Sequence, residues 1–398
     1  MGRTGPYDRE LEDKTLRTER HLSTGSTDPF TAKRGIGSCE ITSTSMGYIG
    51  ALDGLRAVAV VLVMASHLHV GAFRAGEIGV TIFFALSGYL ITRLLLEEHR
   101  DHERISLKLF YKRRFLRLLP PLYLMLAVMV LVHLFAPDFT GLSWVGLLLA
   151  ATYTTDFGIV AMGSYPSPAT DHTWSLSGEE QFYFVLPILV VMALRARWRM
   201  ATFASVAAIV TFVGGTITAL IAAQHDQGNV RLLTNPVIRG WEFLAGAAVA
   251  VVVMTEAFGV RERIRRRRTA AQAGVLIGSA LVVIAFCTPG WTEHNLTSGV
   301  SFALAVAAAC VAGLLAEGVR APGLRWFGSA VATWVGRRSY AIYLWHVPIF
   351  QLVYRYQSGL TVLQAAAIQI PASLLAAEAS YWAVERPFAA MRRRLRPA

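Results

Sequence analysis

The chain has 398 residues, 54% of them hydrophobic and only 16% charged, with a mean hydropathy of +0.45. Ordinary globular chains are about half apolar and about a quarter charged, so this balance excludes a typical soluble domain and points to a polytopic membrane protein. The net charge of +12 does not read as a nucleic-acid surface, because the basic residues fall in short clusters between apolar runs, as cytoplasmic loops of membrane proteins do.

Residues 1–47 are rich in Thr, Ser, Gly and charge, with no signal-peptide core, and read as a disordered cytoplasmic tail. A membrane domain at 48–390 and a basic cytoplasmic tail at 391–398 follow. A span needs roughly 20 mainly apolar residues. Ten segments serve: 55–72, 78–96, 116–136, 181–196, 200–223, 239–258, 270–288, 299–319, 338–356 and 360–384. A further apolar run, 142–153, is only twelve residues long. Charge decides how to read it. Lys and Arg crowd 97–117, 195–199, 261–268, 320–338 and the last residues, whereas 137–180 and 288–298 contain none. Ten spans put every basic cluster and both termini on the cytoplasmic side, which makes 142–153 a re-entrant or interfacial segment on the outer side. The expected fold is an all-α polytopic bundle in the plasma (inner) membrane. Cys39, Cys287 and Cys310 are far apart and form no metal-ligand spacing or disulfide framework, so no metal and no bound cofactor is expected.

Ionisable groups within a bilayer are costly and are functional candidates by default. In the first span Arg56 precedes His67 by eleven residues. That is about three turns, so both share one face, with His67 ~16 Å deeper, near the midplane. His69 points nearly the opposite way, and Asp53 shares the Arg56 face if the helix starts early enough. A neutral imidazole at that depth suits a general base for a hydroxyl. The structural alternative is a histidine bonded to a neighbouring helix and an arginine snorkelling to lipid phosphate.

In 79–92, Ser87 and Gly88 read as a helix-packing seam rather than a nucleophile, since no Gly-x-Ser-x-Gly elbow surrounds them. In "FYKRRFLRLLPPLY", 110–123, Arg113, Arg114 and Arg117 form a helical array able to hold phosphates, ahead of a Pro-Pro that starts the next span. On the outer side "HTWSLSGEEQFYF", 172–184, sets Glu179 and Glu180 beside Trp174, an arrangement suited to sugar hydroxyls; helix-capping acids in a solvated loop are the alternative. Arg239 and Glu242 sit one turn apart as a structural ion pair. In 337–348, His346 lies about 12 Å beyond Arg338, close to the depth of His67, and Tyr340 and Tyr343 accompany it. Glu385 and Arg386 close the last span.

Six ordered motifs now stand together: Arg56 with His67, "FFALSGYLI", "RRFLR", "WSLSGEEQFY", "RGWEFLAG", and "SYAIYLWHVP" followed by "ERPF". Over about 49–390 the chain resembles the acyltransferase-3 family of integral-membrane O-acyltransferases. It departs in carrying Ser-Gly within "SLSGEEQFY", where a bulkier apolar pair is usual. The resemblance implies an acyl-CoA donor bound from the cytoplasm and transfer of its acyl group to a hydroxyl of a sugar-containing or polyketide acceptor, such as an envelope glycan or a macrolide-type antibiotic. It marks Arg56 and His67 as the essential pair and Arg114 and Arg117 as the cytoplasmic arginine motif. Combined with the reading above, His67, Arg56 and Glu179 are assigned to catalysis, Arg113, Arg114 and Arg117 to the donor phosphates, and Trp174, Glu180, Tyr340 and His346 to substrate contacts. Arg56, Tyr340 or Tyr343 would stabilise the oxyanion, and direct transfer or transient acylation of His67 would serve equally. No esterase-like domain follows residue 398, so any second catalytic component is expected to come from a partner or to be unnecessary. The rival class is a transporter or proton-coupled exporter, which needs buried His and Arg but no arginine cradle for a nucleotide.

Overall fold

The computed structural model describes residues 49–68, 76–137, 141–224, 229–255, 258–288, 300–356 and 359–395, and everything below concerns these. The predicted tail at 1–47 and His69 lie outside them. The described residues form ten long helices: α1 (Gly50–His67), α2 (Gly76–His102), α3 (Leu107–Phe135), α4 (Trp174–Arg195), α5 (Met200–Ala223), α6 (Pro236–Met254), α7 (Arg268–Cys287), α8 (Val300–Ala316), α9 (Ala330–Tyr356) and α10 (Val362–Ser380). Each corresponds to one predicted span. Eight are long and apolar enough to cross a membrane; α8 is shorter at 17 residues, and the Tyr, His and Arg content of α9 lowers its hydropathy. This is an all-α, multi-pass membrane protein. Large apolar side chains point outward from the bundle, among them Leu134 on α3 and Ile209, Phe212 and Leu220 on α5. In water such a surface would aggregate; in a bilayer it is the lipid-facing side.

Helix α2 is the axis of the packing. It contacts α1, α4, α6 and α8, and 83% of its apolar window is buried, against 22% for peripheral α7. Glycine makes the α2–α6 crossing close. A Cβ on Gly88 would lie 1.9 Å from the Phe243 carbonyl oxygen, and one on Gly246 would lie 1.9 Å from that of Ala85. The seam expected around Gly88 is therefore real: backbones touch where no side chain fits.

Several boundaries differ from the sequence reading, and the differences matter for the site. α1 begins at Gly50, so Asp53 is helical and pairs with Arg56. α3 begins at Leu107 behind a Ser106 N-cap, so Arg113, Arg114 and Arg117 belong to its first turns. Pro120 and Pro121 lie inside α3 and do not start it. α4 begins at Trp174 rather than 181, which makes the "WSLSGEEQ" stretch two turns of buried helix and not an outer loop beside a span. An apolar window starts a span where charge ends; the bundle extends it wherever a neighbouring helix supplies counter-charge. The twelve-residue run at 142–153 contains only a short helix, Trp144–Ala151, about 12 Å long and too short to cross. Beyond α10 the chain passes through a π-helical turn, Tyr381–Glu385, into a short amphipathic helix, Arg386–Arg393.

Candidate active site

Two connected cavities lie where α1, α2, α3, α4 and α9 meet. The inner one, about 50 Å³, is walled by Phe83, Phe84 and Ser87 of α2, Leu118 of α3, Leu176 and Glu179 of α4 and Tyr340 and Tyr343 of α9. The outer one, about 680 Å³, is a vestibule between α2, α3 and the short helix Arg386–Arg393. Arg56, Arg114, Arg117 and Tyr183 line both, so the constriction between them is a ring of three guanidiniums and a phenol.

The charges at that ring are not equivalent. Arg114 donates to Glu180 Oε1 at 2.8 and 3.2 Å, lies 3.8 Å from Glu179, and stacks over the Tyr183 ring. Arg113 lines the vestibule but not the inner cavity, and its charge is engaged by Glu98 at 3.2 Å and the Leu395 carbonyl at 3.3 Å. Arg56 pairs with Asp53 at 3.3 Å. Arg117 has no ion pair among the described residues and points its charge into both cavities. Of the three cradle arginines, only Arg117 therefore holds a charge not already matched by a carboxylate.

Glu179 sits on the inner wall. It accepts hydrogen bonds from Ser87 Oγ at 2.5 Å and from the Tyr183 hydroxyl. Two hydroxyl donors on one carboxylate oxygen fix the side chain in place, which suits orienting a substrate. Ser87, read from sequence as packing, is thus also a wall residue. Tyr340 donates to the Leu118 carbonyl at 2.8 Å and faces Tyr153 at 3.3 Å; the Tyr343 hydroxyl donates to the His172 carbonyl at 2.9 Å and lies 2.6 Å from Ser175 Oγ.

The histidines form a separate cluster behind that wall. The His67 and His346 rings meet edge to face at 5.1 Å, His346 and His172 at 5.5 Å, and Tyr343 and His346 at 5.3 Å. His67 Nδ1 lies 2.8 Å from the Val63 carbonyl and His346 Nδ1 lies 2.6 Å from that of Tyr343. A carbonyl only accepts, so both rings carry their proton on Nδ1 and present Nε2 as the basic nitrogen. His346 Nε2 and His172 Nδ1 are buried and have no partner. His67 is half-buried and does not line the inner cavity; Tyr343 and His346 stand between.

Beside the cavity, Arg239 is fully buried. It bonds Glu242 at 2.9 and 3.3 Å and Thr81 at 2.9 Å, as an ion pair that joins α6 to α2. Its guanidinium also sits 5.4 Å from the Trp174 ring, which turns its edge to Phe84. Trp174 is thus part of the packing around Arg239 and not of the cavity lining. The structure therefore brings Arg56, Arg114, Arg117, Glu179 and Tyr340 to one cavity, sets Glu180 behind Arg114, places His67 and His346 together one ring-layer away, and leaves Arg113 in the vestibule. Sequence reasoning missed Ser87 and Tyr183 as site residues. Tyr183 carried a readable signal, since it follows Glu179 by one helical turn.

The family model for an acyltransferase domain, acyltransferase-3, matches residues 49–380. The chain belongs to this family. It is 29% identical over 368 residues to the peptidoglycan O-acetyltransferase OatA of Listeria monocytogenes, covering 87% of this chain and 56% of that protein. It is 31% identical over 362 residues to the putative peptidoglycan O-acetyltransferase YrhL of Bacillus subtilis, covering 85% and 55%. With the O-acetyltransferase OatA of Staphylococcus aureus it shares 27% over 351 residues, covering 85% and 57%. The chain thus spans just over half the length of these relatives. No solved structure matches it.

Proposed function

We propose that this protein transfers an acetyl or other short acyl group from acyl-CoA to a hydroxyl of a cell-envelope glycan. The carrying observation is the pair of cavities joined at Arg56, Arg114 and Arg117: a vestibule large enough for a nucleotide opens through a cationic ring into a smaller aromatic chamber. The family supports acyl transfer, and relatives named for peptidoglycan O-acetylation favour a sugar-polymer acceptor over an antibiotic.

In this reading the donor's phosphates lie in the vestibule on the cytoplasmic side and the thioester passes Arg56 into the chamber. His67 Nε2 takes the proton of the acceptor hydroxyl as its oxygen bonds to the thioester carbonyl carbon. The carbon–sulfur bond then breaks, and the CoA thiolate recovers that proton from the imidazolium. Arg56 stands at the chamber to bind the oxyanion, while Tyr340 and Tyr343 line it with their single hydroxyl protons given to the Leu118 and His172 carbonyls. The ring wall of Tyr343 and His346 must swing aside for the chamber to reach His67. Glu179, fixed by Ser87 and Tyr183, orients the substrate and takes no proton.

The test is thiol release from acetyl-CoA by purified protein with a muropeptide acceptor, and mass analysis of the product. Ester-linked acetate on the glycan is expected; transport of a solute without thiol release would overturn the reading in favour of a carrier.

A further inference from the structure

We propose that the short helix Arg386–Arg393 completes the donor site, and that Arg392 and Arg393 bind phosphates of the nucleotide half of the donor. The inference rests on the acyl-CoA reading above but concerns residues beyond the 49–380 segment that the family model matches.

The argument is a charge balance of the vestibule. Its acids are already occupied: Glu97 pairs with Arg93 at 2.8 Å, Glu98 with Arg113 at 3.2 Å, and Asp101 with Arg100 at 2.8 Å. Arg114 has Glu180, and Arg56 shares Asp53 with Arg337. Among the described residues, that leaves Arg117, Arg392 and Arg393 lining the vestibule with no ion pair, and the Nε of Arg392 is buried without any hydrogen-bond partner. Glu385, at the start of this C-terminal segment, makes no ion pair among the described residues and does not line the vestibule, but its carboxyl acts on Arg117 and Arg392, so one acid stands against three guanidiniums. The helix is held over the space by packing on α3 and by the Arg113 bond to the Leu395 carbonyl. Its two arginines therefore line the same space of about 680 Å³ as Arg117. Three guanidiniums against one carboxyl leave a surplus of positive charge around one void that calls for a ligand with clustered negative charges, and guanidinium binds phosphate by paired hydrogen bonds. A nucleotide with a diphosphate and a further phosphate meets that need; pantetheine alone brings none.

The test uses the full-length protein in detergent, with CoA and pantetheine as probes of binding and acetyl-CoA as donor. Arg392→Gln/Arg393→Gln should raise the Kd for CoA about 10- to 100-fold, the range expected from losing charge-assisted contacts. It should shrink the wild-type preference for CoA over pantetheine by the same factor. Arg392→Lys/Arg393→Lys should recover part of it, and thermal unfolding reports whether each variant is folded. Unchanged CoA affinity in folded Gln variants overturns the proposal. So does a loss that appears only in vesicles containing anionic lipid and not in neutral ones, which would assign the arginines to a headgroup. Wild-type protein that binds CoA through these residues yet transfers no acetyl group would sink the proposed activity while leaving this site standing.

Discussion

Arg114 and Arg117 lie one turn apart on α3, yet losing them should have opposite consequences. Arg114 is largely buried and bonded to Glu180 at 2.8 Å, with side-chain exposures of 13% and 15%. Arg114→Gln strands the Glu180 carboxylate, and removing one partner of a buried pair costs about 3–5 kcal/mol; partial exposure puts this pair near the lower end, ~3 kcal/mol. Arg114→Gln/Glu180→Gln removes both charges and should regain most of that loss. Arg117 makes no ion pair among the described residues; its removal relieves repulsion from Arg56 and Arg114 and costs only its longer-range attraction to Glu385, so the fold should lose much less than with Arg114→Gln. What Arg117→Gln should lose is donor binding: charge-assisted contacts are worth about 1.5–3 kcal/mol, so the KM for acetyl-CoA should rise roughly 10- to 100-fold. Thermal unfolding of the purified variants, read with a thiol-reactive dye, gives the first quantity, and thiol release against acetyl-CoA concentration gives the second. Equal destabilisation by both single variants, or an unchanged KM for Arg117→Gln, would refute the division of roles.

His67→Ala should abolish transfer, by 10²-fold or more, while the protein still inserts and binds acyl-CoA; an active variant would rule the base out. Gly246→Ala should lower folded yield and the unfolding midpoint, because its methyl would sit 1.9 Å from the Ala85 carbonyl oxygen; a wild-type midpoint would contradict the α2–α6 crossing. Asp156, in the short helix Thr155–Met162, is pushed up to about 6 by burial, and one carboxylate oxygen lacks a partner. The folded state therefore holds its proton where the unfolded chain, near 3.9, has released it. Stability should fall as pH rises from about 4 to about 6, and Asp156→Asn should remove that slope in thermal unfolding followed across pH.

The helices were legible because a bilayer enforces long apolar runs, and the chain's ten such runs are the ten helices found. Their starts were not. Hydropathy ends a span at its first charges, but α3 carries Arg114 and α4 carries Glu179 and Glu180 inside the bundle because these charges meet between the two helices, while Arg113 pairs with Glu98 of α2. Arg114 was readable as a cation and Glu180 as an anion; that they are partners depends on how α3 crosses α4, which no spacing within either segment encodes. The split of the arginine array into a paired, a diverted and an unmatched member follows from the same cause. The proximity of His67 and His346 was legible from depth alone, since each could be counted from a basic residue taken as the cytoplasmic boundary.

The placement of His67 gives the proposed chemistry its hardest condition. Arg56 reaches the junction of the two cavities, while His67, three turns further along α1, lies behind Tyr343 and His346. A thioester in the chamber is thus separated from the base and from any acceptor on the far side. The separating wall is tied through the Tyr343 hydroxyl to the His172 carbonyl, just ahead of α4, and through His346 to the α9 backbone. On this reading the closed wall keeps an activated acyl group away from water until an acceptor displaces it, since an enclosed site suppresses hydrolysis of its intermediates. The same rings would then serve as a barrier before the reaction and as its chamber during it, and the partnerless Nε2 of His346 would face the acceptor once the wall has moved.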